Sequence, residues 1–136
     1  MKAVIEGVCM HMRWLLECSA KTFPTNPVVR FAGGSAMSTY ICQVMADVLG
    51  RDVETIENTR QVGAMGAAAL AAVSFGLLPD IKDIKKIIQV ETVYHPRKEN
   101  TEVYDRLMPV FKDLYFHNKK SYAAMNANRQ GFTNTD

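Results

Sequence analysis

The residues best suited to chemistry in this 136-residue chain form a turn of small side chains, Gly33-Gly34-Ser35-Ala36, with Ser38 just beyond it. Glycine has no Cβ and adopts backbone angles closed to other residues, so a ligand can lie almost against the main chain. A helix that begins after the turn would present free backbone N–H groups there, which favours an anionic or hydrogen-bonding ligand such as a nucleotide. A tight turn between a strand and a helix would explain the two glycines equally well.

A dinucleotide-binding fold of the Rossmann type is one alternative for this turn. The G-x-G-x-x-G fingerprint of that fold is not met, because Ser35 and Ser38 stand where the second and third glycines would be. Glu54 does follow at about the separation at which that motif places a ribose-binding acid. The Rossmann interpretation therefore stays open as an alternative.

Catalytic residue types are sparse and scattered along the chain. The three histidines, His11, His95 and His117, include no pair at the i, i+4 spacing of a helical metal site. Asp47 and Asp52 have the chemistry of general bases, but no nucleophile or metal ligand adjoins them in the sequence. The residues by themselves predict no catalytic group and no metal site, and they indicate part of a binding cleft.

Composition restricts the partners and the compartment. A formal net charge of +2, without basic clusters interleaved with aromatic residues, argues against nucleic acid as a partner. The cysteines Cys9, Cys18 and Cys42 form no C-x-x-C pair and suit a reducing cytoplasm, as small apolar residues of the interior. The alanine-rich stretch 62–78, at about 17 residues, is too short to span a membrane and is predicted to be a buried core helix.

Hydrophobic periodicity predicts the elements that position the turn. The first half alternates helices and strands: a helix at 2–20, a strand at 28–32, a helix at 38–49 and a strand at 52–56. The second half is mainly helical: the alanine-rich helix, a short helix at 80–88, an extended segment at 90–94 and a long helix at 99–125. Ser38 or Thr39 is predicted to cap the start of the helix at 38–49, and Gly50 to end it. Asn58 or Thr59 is predicted to cap the alanine-rich helix, and Pro109 to kink or split the long one.

Several motifs keep a distinctive order along the chain. They are Glu6-Gly7 with His11, Arg13 and Trp14-Leu15-Leu16-Glu17, then Phe31-Ala32-Gly33-Gly34-Ser35-Ala36-Met37-Ser38, Gln43, Ala46-Asp47-Val48-Leu49-Gly50, Gly63-Ala64-Met65-Gly66-Ala67-Ala68, His95-Pro96, Tyr104 and Tyr115. In this combination the chain resembles the C-terminal lobe of the FGGY carbohydrate kinases, most of all the xylulokinases. The resemblance covers most of the chain, from Lys2 to about Asn126.

This resemblance implies both a fold and an activity. The implied fold is α/β, a partial ribonuclease-H-like lobe of the actin-like ATPase superfamily, helix-rich, with a short parallel βαβ core and a long C-terminal helix. The implied activity is transfer of a phosphoryl group from ATP, with Mg²⁺, to a sugar, in particular a ketopentose such as xylulose. The resemblance assigns the adenosine side of the nucleotide cleft to Gly33, Gly34, Ser35 and Ala36, and it places Ser38 near the adenine.

The resemblance further implies that other functional groups lie elsewhere in the parent protein. In the family, the sugar-binding groups, the catalytic aspartate and the phosphate loops precede the helix at 2–20, as do three strands of the lobe. We therefore expect a fragment, with the lobe at 1–126 and a polar tail at 127–136, that has no kinase activity by itself. Xylulose is favoured over gluconate, ribulose or glycerol as the acceptor of the parent enzyme.

Two expectations concern the chain on its own. Without the preceding strands, the strand at 28–32 would have an open edge, so we expect a homo-oligomer that buries Val28, Val29 and Phe31 or the apolar face of the first helix. The alternative function is a stand-alone, non-catalytic module that binds a nucleotide or another protein.

Overall fold

The structure is a computed structural model that describes residues 1–127. Its helices and strands are α1 (Lys2–Ala20), β1 (Val28–Arg30), α2 (Thr39–Leu49), β2 (Asp52–Ile56), α3 (Val62–Ser74), β3 (Val90–Tyr94) and α4 (Lys98–Asn126). Short 3-10 turns lie at Gly34–Met37, Thr59–Gln61 and Ile81–Lys86. This order confirms the predicted helix-rich α/β class.

The three strands form one mixed sheet in the order β1-β2-β3. β1 runs parallel to β2, with Val29 opposite Val53, whereas β3 runs antiparallel to β2, with Thr92 opposite Thr55. A parallel pair requires a crossover connection, which α2 supplies, so the short parallel βαβ core is confirmed. Within residues 1–127, β1 has a neighbouring strand on one side only.

The core forms around α2, most of whose residues from Cys42 to Leu49 are buried. α2 lies between α1, α4 and the sheet, and its buried residues meet those of its neighbours. The core residues are Cys9, Met10, Val44, Met45, Ala46, Val48, Leu49, Val53, Tyr104 and Met108. Burial of apolar side chains at about 25 cal/mol per Å² makes this cluster the main source of stability.

Both ends of α2 follow the predicted capping chemistry. The Ser38 hydroxyl accepts a hydrogen bond from the Ile41 N–H at 3.4 Å, satisfying one N–H of the first turn. Gly50 adopts the left-handed conformation, with φ of 61°, and its N–H donates to the Ala46 carbonyl at 2.9 Å. The turn that precedes Ser38 is therefore held at the start of a well-bounded helix.

The alanine-rich helix α3 is not the buried core helix that its composition predicts. Ala69 is its one buried residue, and Leu70 and Phe75 are exposed. The physical reason is that α3 contacts mainly the short 3-10 turns on either side of it, and no sheet or helix of residues 1–127 covers its apolar face. None of the helices in this range combines the length and hydrophobicity that a membrane crossing requires.

The predicted cap of α3 is also wrong. Asn58 adopts the left-handed conformation and makes no capping bond, and Thr59 starts a 3-10 turn that precedes the helix. The Thr59 hydroxyl turns instead toward Gly33, where it accepts a hydrogen bond. A contact between distant segments thus replaces the local cap.

Three smaller differences concern the ends and interiors of elements. The first strand ends at Arg30 rather than at 32, and the short helix predicted at 80–88 is a 3-10 turn whose N-terminus is capped by Asp80. Pro109 does not split α4, which continues past it to Asn126. The predicted polar tail at 127–136 lies, apart from Ala127, outside the described residues.

Candidate functional site

The glycine turn is tied to the carboxyl end of β2. Gly33 has a φ of 106° and a ψ of −174°, a combination essentially restricted to glycine. Its N–H donates to both the carbonyl (3.1 Å) and the hydroxyl (2.9 Å) of Thr59, and its carbonyl accepts from the Ala36 N–H at 3.1 Å. Because parallel strands end at the same edge of a sheet, this bond joins the two strand ends into one surface.

The structural reason for glycine is not the same at positions 33 and 34. Gly34 does not have a positive φ, so the course of the backbone alone does not demand glycine there. A Cβ built on either glycine meets no heavy atom within 4 Å, which leaves open space directly over the main chain. The chain reversal therefore explains Gly33, whereas the open surface is the feature that Gly34 preserves.

The five residues predicted to form the site are close in the structure but face different surroundings. Ala36 is buried and belongs to the wall of a cleft beyond the turn. Ser35 is exposed and borders an apolar groove beside α1, together with Val8 and Phe31. Ser38 serves as the N-cap of α2, and between these regions Gly34 is exposed and Gly33 is half-buried.

The cleft beyond the turn has a volume of about 420 Å³ and lies between the turn, the end of β2 and β3. Its walls carry the hydroxyls of Thr39, Thr59 and Thr92 and two opposite charges, Arg60 and Glu91. No local pattern predicts this cleft, because β3 contributes a wall from more than fifty residues beyond the turn. The one local signal is Thr59, whose hydroxyl would serve a helix cap equally well.

The candidate general base Asp47 is a structural residue. It is 1% exposed, and its carboxylate accepts from the Gln43 side chain (3.0 Å), the Arg97 backbone N–H (2.8 Å), the Arg97 Nε (3.0 Å) and the Asn100 side chain (2.8 Å). Burial alone would raise the pKa of Asp47, but these hydrogen bonds outweigh it and hold the pKa below its ordinary value. Asp47 therefore fastens the start of α4 to α2.

Several residues of the family-like motifs form the contact between α1 and α4. The Tyr104 hydroxyl donates to Glu6 at 2.8 Å, and Arg13 donates to Asp105 (2.6 Å), to Glu17 (3.0 Å) and to the carbonyl at the end of α2 (3.0 Å). Burial would raise the pKa of Glu17, but hydrogen bonds from Lys112 and Arg13 lower it. These polar motif residues thus assemble the lobe and do not face the glycine turn.

The histidines remain apart from one another. His95 Nδ1 lies 2.9 Å from Asp52 Oδ1 on an exposed surface, His117 contacts the Asp113 carbonyl one turn earlier, and His11 packs edge-on against Trp14. Within residues 1–127, no group of three or more histidine, cysteine or acidic side chains is arranged to hold a metal ion.

Comparison with known proteins provides an independent line of evidence. Residues 1–75, more than half of the chain, match the C-terminal domain of the FGGY family of carbohydrate kinases. The matched range contains α1, the glycine turn, α2 and β2, whereas β3, which forms the other wall of the cleft, lies beyond it.

Individual relatives agree with this match. The chain is 31% identical over 103 residues to glycerol kinase 5 of Gallus gallus (74% of this chain, 20% of that protein). It is 27% identical over 132 residues to the xylulose kinase of Bacillus subtilis (96% of this chain, 26% of that protein). The crystal structure of ligand-bound xylulose kinase from Lactobacillus acidophilus shares the fold, with a TM-score of 0.81 and 24% identity over 90% of this chain and 25% of that one. The chain thus spans about a fifth to a quarter of the length of these proteins.

Proposed function

The chain belongs to the FGGY family of carbohydrate kinases, and on that basis we propose that it supplies the adenosine side of the nucleotide cleft in an ATP-dependent sugar kinase. The observation that carries this proposal is the position of Gly34, in the exposed turn between the end of β1 and the start of α2. Its backbone angles do not require glycine, and the open space over its main chain, which Gly66 on α3 also has, lies here beside backbone N–H groups that begin a helical turn. A missing side chain lets a ligand approach the backbone closely.

The turn fits a nucleotide in three respects. The N–H groups of Gly34 and Ser35 begin a 3-10 turn and have no intrahelical acceptor, so they suit phosphate oxygens. The Ser38 hydroxyl accepts from the N–H of Ile41 and keeps its own proton to donate to the adenine. Gly33 is anchored to Thr59, so the surface is already formed before a ligand binds.

ATP, with Mg²⁺, supplies the phosphoryl group that such a kinase transfers to a sugar hydroxyl. The role that we propose for this chain is to bind and orient the nucleotide, since the family resemblance assigns the catalytic aspartate to another part of the parent protein. We propose a ketopentose such as xylulose as the acceptor, because the similarity to the xylulose kinase of Bacillus subtilis covers 96% of the chain, against 74% for glycerol kinase 5. The sugar would be bound by another lobe of the enzyme.

Two further parts of the proposal concern organisation and location. We propose that residues 1–126 act as one lobe, because α1, α2 and α4 share a single core, and that 127–136 form an appended tail. We place the protein in the cytoplasm, where Cys9, Cys18 and Cys42, which form no disulfide, stay reduced.

Nucleotide binding is tested by titrating Mg-ATP into the ¹⁵N-labelled chain and following its amide resonances. We expect the largest shifts at 33–38. Gly34→Val should weaken binding by about tenfold or more, which corresponds to about 1.4 kcal/mol. Gly66→Val is the matched control, because its Cβ also meets open space but lies on α3, away from the turn. Shifts elsewhere, or equal affinity in both variants, would contradict the assignment of the turn.

Catalysis is tested separately by measuring ADP release with D-xylulose and Mg-ATP. General-base assistance is worth about 10² to 10⁴ in rate, and positioning of the sugar against the nucleotide contributes more. A chain that supplies neither the base nor the sugar site should therefore not exceed the uncatalysed background. Sugar-dependent turnover by the chain alone would show that the catalytic groups are present and that the division of roles proposed above is wrong.

A further inference from the structure

The hydroxyl of Thr59 contacts both backbone groups of Gly33. Its oxygen accepts a hydrogen bond from the Gly33 N–H at 2.9 Å, and it donates to the Gly33 carbonyl oxygen at 3.5 Å. A hydroxyl has one proton and two lone pairs, so a single side chain can make both contacts. Thr59 is 8% exposed, and water therefore has little access to these bonds.

These contacts fix the direction of the next peptide group, between Gly33 and Gly34. No peptide bond within residues 1–127 is cis, and in a trans peptide the C=O and N–H point in opposite directions. The Gly33 carbonyl is turned toward the Thr59 hydroxyl and the Ala36 N–H, which donates to it at 3.1 Å. The Gly34 N–H therefore points away from both, on the exposed side of the turn.

This peptide group is the part of the turn that could most easily rotate. It lies between two glycines, which adopt backbone angles closed to other residues. Rotation would replace the Gly34 N–H by the Gly33 carbonyl oxygen, and a carbonyl oxygen repels a phosphate. The far end of the turn is held separately, because the buried Cys42 thiol donates to the Ala36 carbonyl at 3.3 Å.

We propose that Thr59 is a positioning residue for the nucleotide. Its hydroxyl holds the Gly33–Gly34 peptide in the orientation that offers the Gly34 N–H to a phosphate oxygen, and it acts through Gly33 without touching the ligand. The inference rests on the proposed function, because it concerns the same turn. Such a donor, already oriented before binding, reduces the cost of ordering the site around the ligand.

Thr59 is itself held in place on both sides. The Glu57 N–H donates to the Gln89 carbonyl at 3.1 Å, and the Gln61 N–H donates to the Asn58 carbonyl at 2.7 Å. The backbone carbonyl of Thr59 also accepts from the Gly33 N–H at 3.1 Å, a bond that no side-chain substitution removes. Loss of the hydroxyl therefore leaves the Gly33 N–H paired, and it should affect the orientation of the peptide more than the stability of the fold.

Titration of Mg-ATP into ¹⁵N-labelled variants tests this role. Thr59→Val keeps the shape of the side chain without the hydroxyl, and it should weaken binding by about threefold to tenfold, the contribution of one neutral hydrogen bond. Thr59→Ser keeps the hydroxyl and should bind like the wild type. Thr55→Val is the matched control, because Thr55 is also buried beside the cleft, but its hydroxyl donates to the Thr92 carbonyl at 3.4 Å and not to the turn.

Three results would overturn the proposal. They are an affinity of Thr59→Val equal to that of the wild type, an equal loss in Thr55→Val, and a Thr59→Ser chain as weak as Thr59→Val. A wild-type chain without ATP-induced shifts at 33–38 would refute the proposed function and this role together, whereas wild-type binding at 33–38 that Thr59→Val leaves unchanged would refute only the role of Thr59.

The free chain provides a readout that does not depend on the nucleotide. In Thr59→Val we expect a shifted or exchange-broadened amide resonance at Gly34, which Thr59→Ser should not show. Unchanged Gly34 resonances would show that the hydroxyl does not orient the peptide. Circular dichroism confirms that each variant is folded, and Thr59→Ala, which also lacks the hydroxyl, takes the place of Thr59→Val if valine is not accommodated.

Discussion

Replacing Asp47 by asparagine should destabilise the protein while preserving the shape of the side chain. Every group near the carboxylate is a donor: one oxygen accepts from Gln43 and the Arg97 backbone, and the other accepts from the Arg97 side chain and Asn100. An amide has one oxygen and one NH₂ group. In Asp47→Asn, the NH₂ group of the new amide therefore faces two other donors, whichever way the amide is turned. Two hydrogen bonds are lost in either orientation.

The size of the effect follows from those lost bonds. A hydrogen bond to a charged group contributes about 1.5–3 kcal/mol, and two are lost, but the half-exposed Arg97 side chain can recover part of its loss from water. We therefore expect the free energy of unfolding to fall by about 2–4 kcal/mol. With a urea m-value of about 2 kcal/mol per M, the unfolding midpoint should fall by about 1–2 M.

Urea unfolding followed by circular dichroism measures this loss. Asp113→Asn is the control, because Asp113 lies on the exposed surface of α4 and its change should stay within about 0.5 kcal/mol. If Asp47→Asn also stays within that range, the bonds between α2 and α4 contribute no net stability. The account of Asp47 as the residue that fastens the two helices would then be refuted.

Three further predictions concern pH, the turn and the thiols. Because the pKa values of Asp47 and Glu17 are lowered in the folded state, their stabilising effect is present at neutral pH and is lost progressively as the pH falls below about 5. The urea midpoint should therefore fall with the pH there, and it should fall less in Asp47→Asn. Gly33→Ala should lower the free energy of unfolding, measured in urea, by about 1–3 kcal/mol, because Gly33 has a φ of 106°. Gly34→Ala should change it by no more than about 0.5 kcal/mol. Equal effects of the two changes would show that the backbone angle is not the reason for Gly33. Burial, with the nearby Glu6 charge, raises the pKa of Cys9 to about 11, and burial also raises the pKa of Cys42, so iodoacetamide at neutral pH should label only the exposed Cys18 until denaturant is added, as mass spectrometry would show.

The sequence by itself determined those features that depend on neighbouring residues. Apolar spacing predicted α1, α2, β2 and β3 closely, because helices and strands impose periods of 3.6 and 2 on whichever face is buried. Ser38 and Gly50 were predicted as the two ends of α2, because a cap requires a particular side chain or backbone angle at one position. The ordered motifs were sufficient to predict the family.

Only the tertiary structure decided which distant groups meet. Asp47 accepts from Arg97 and Asn100, about fifty positions further along the chain, and no local pattern marks such a partnership. Thr59 similarly does not cap α3 as predicted; its hydroxyl accepts a hydrogen bond from Gly33, twenty-six positions earlier in the chain. Burial also depends on distant parts of the chain, because a helix face is buried only where another element covers it. α3 has the composition of a core helix, but within residues 1–127 no other element covers most of it.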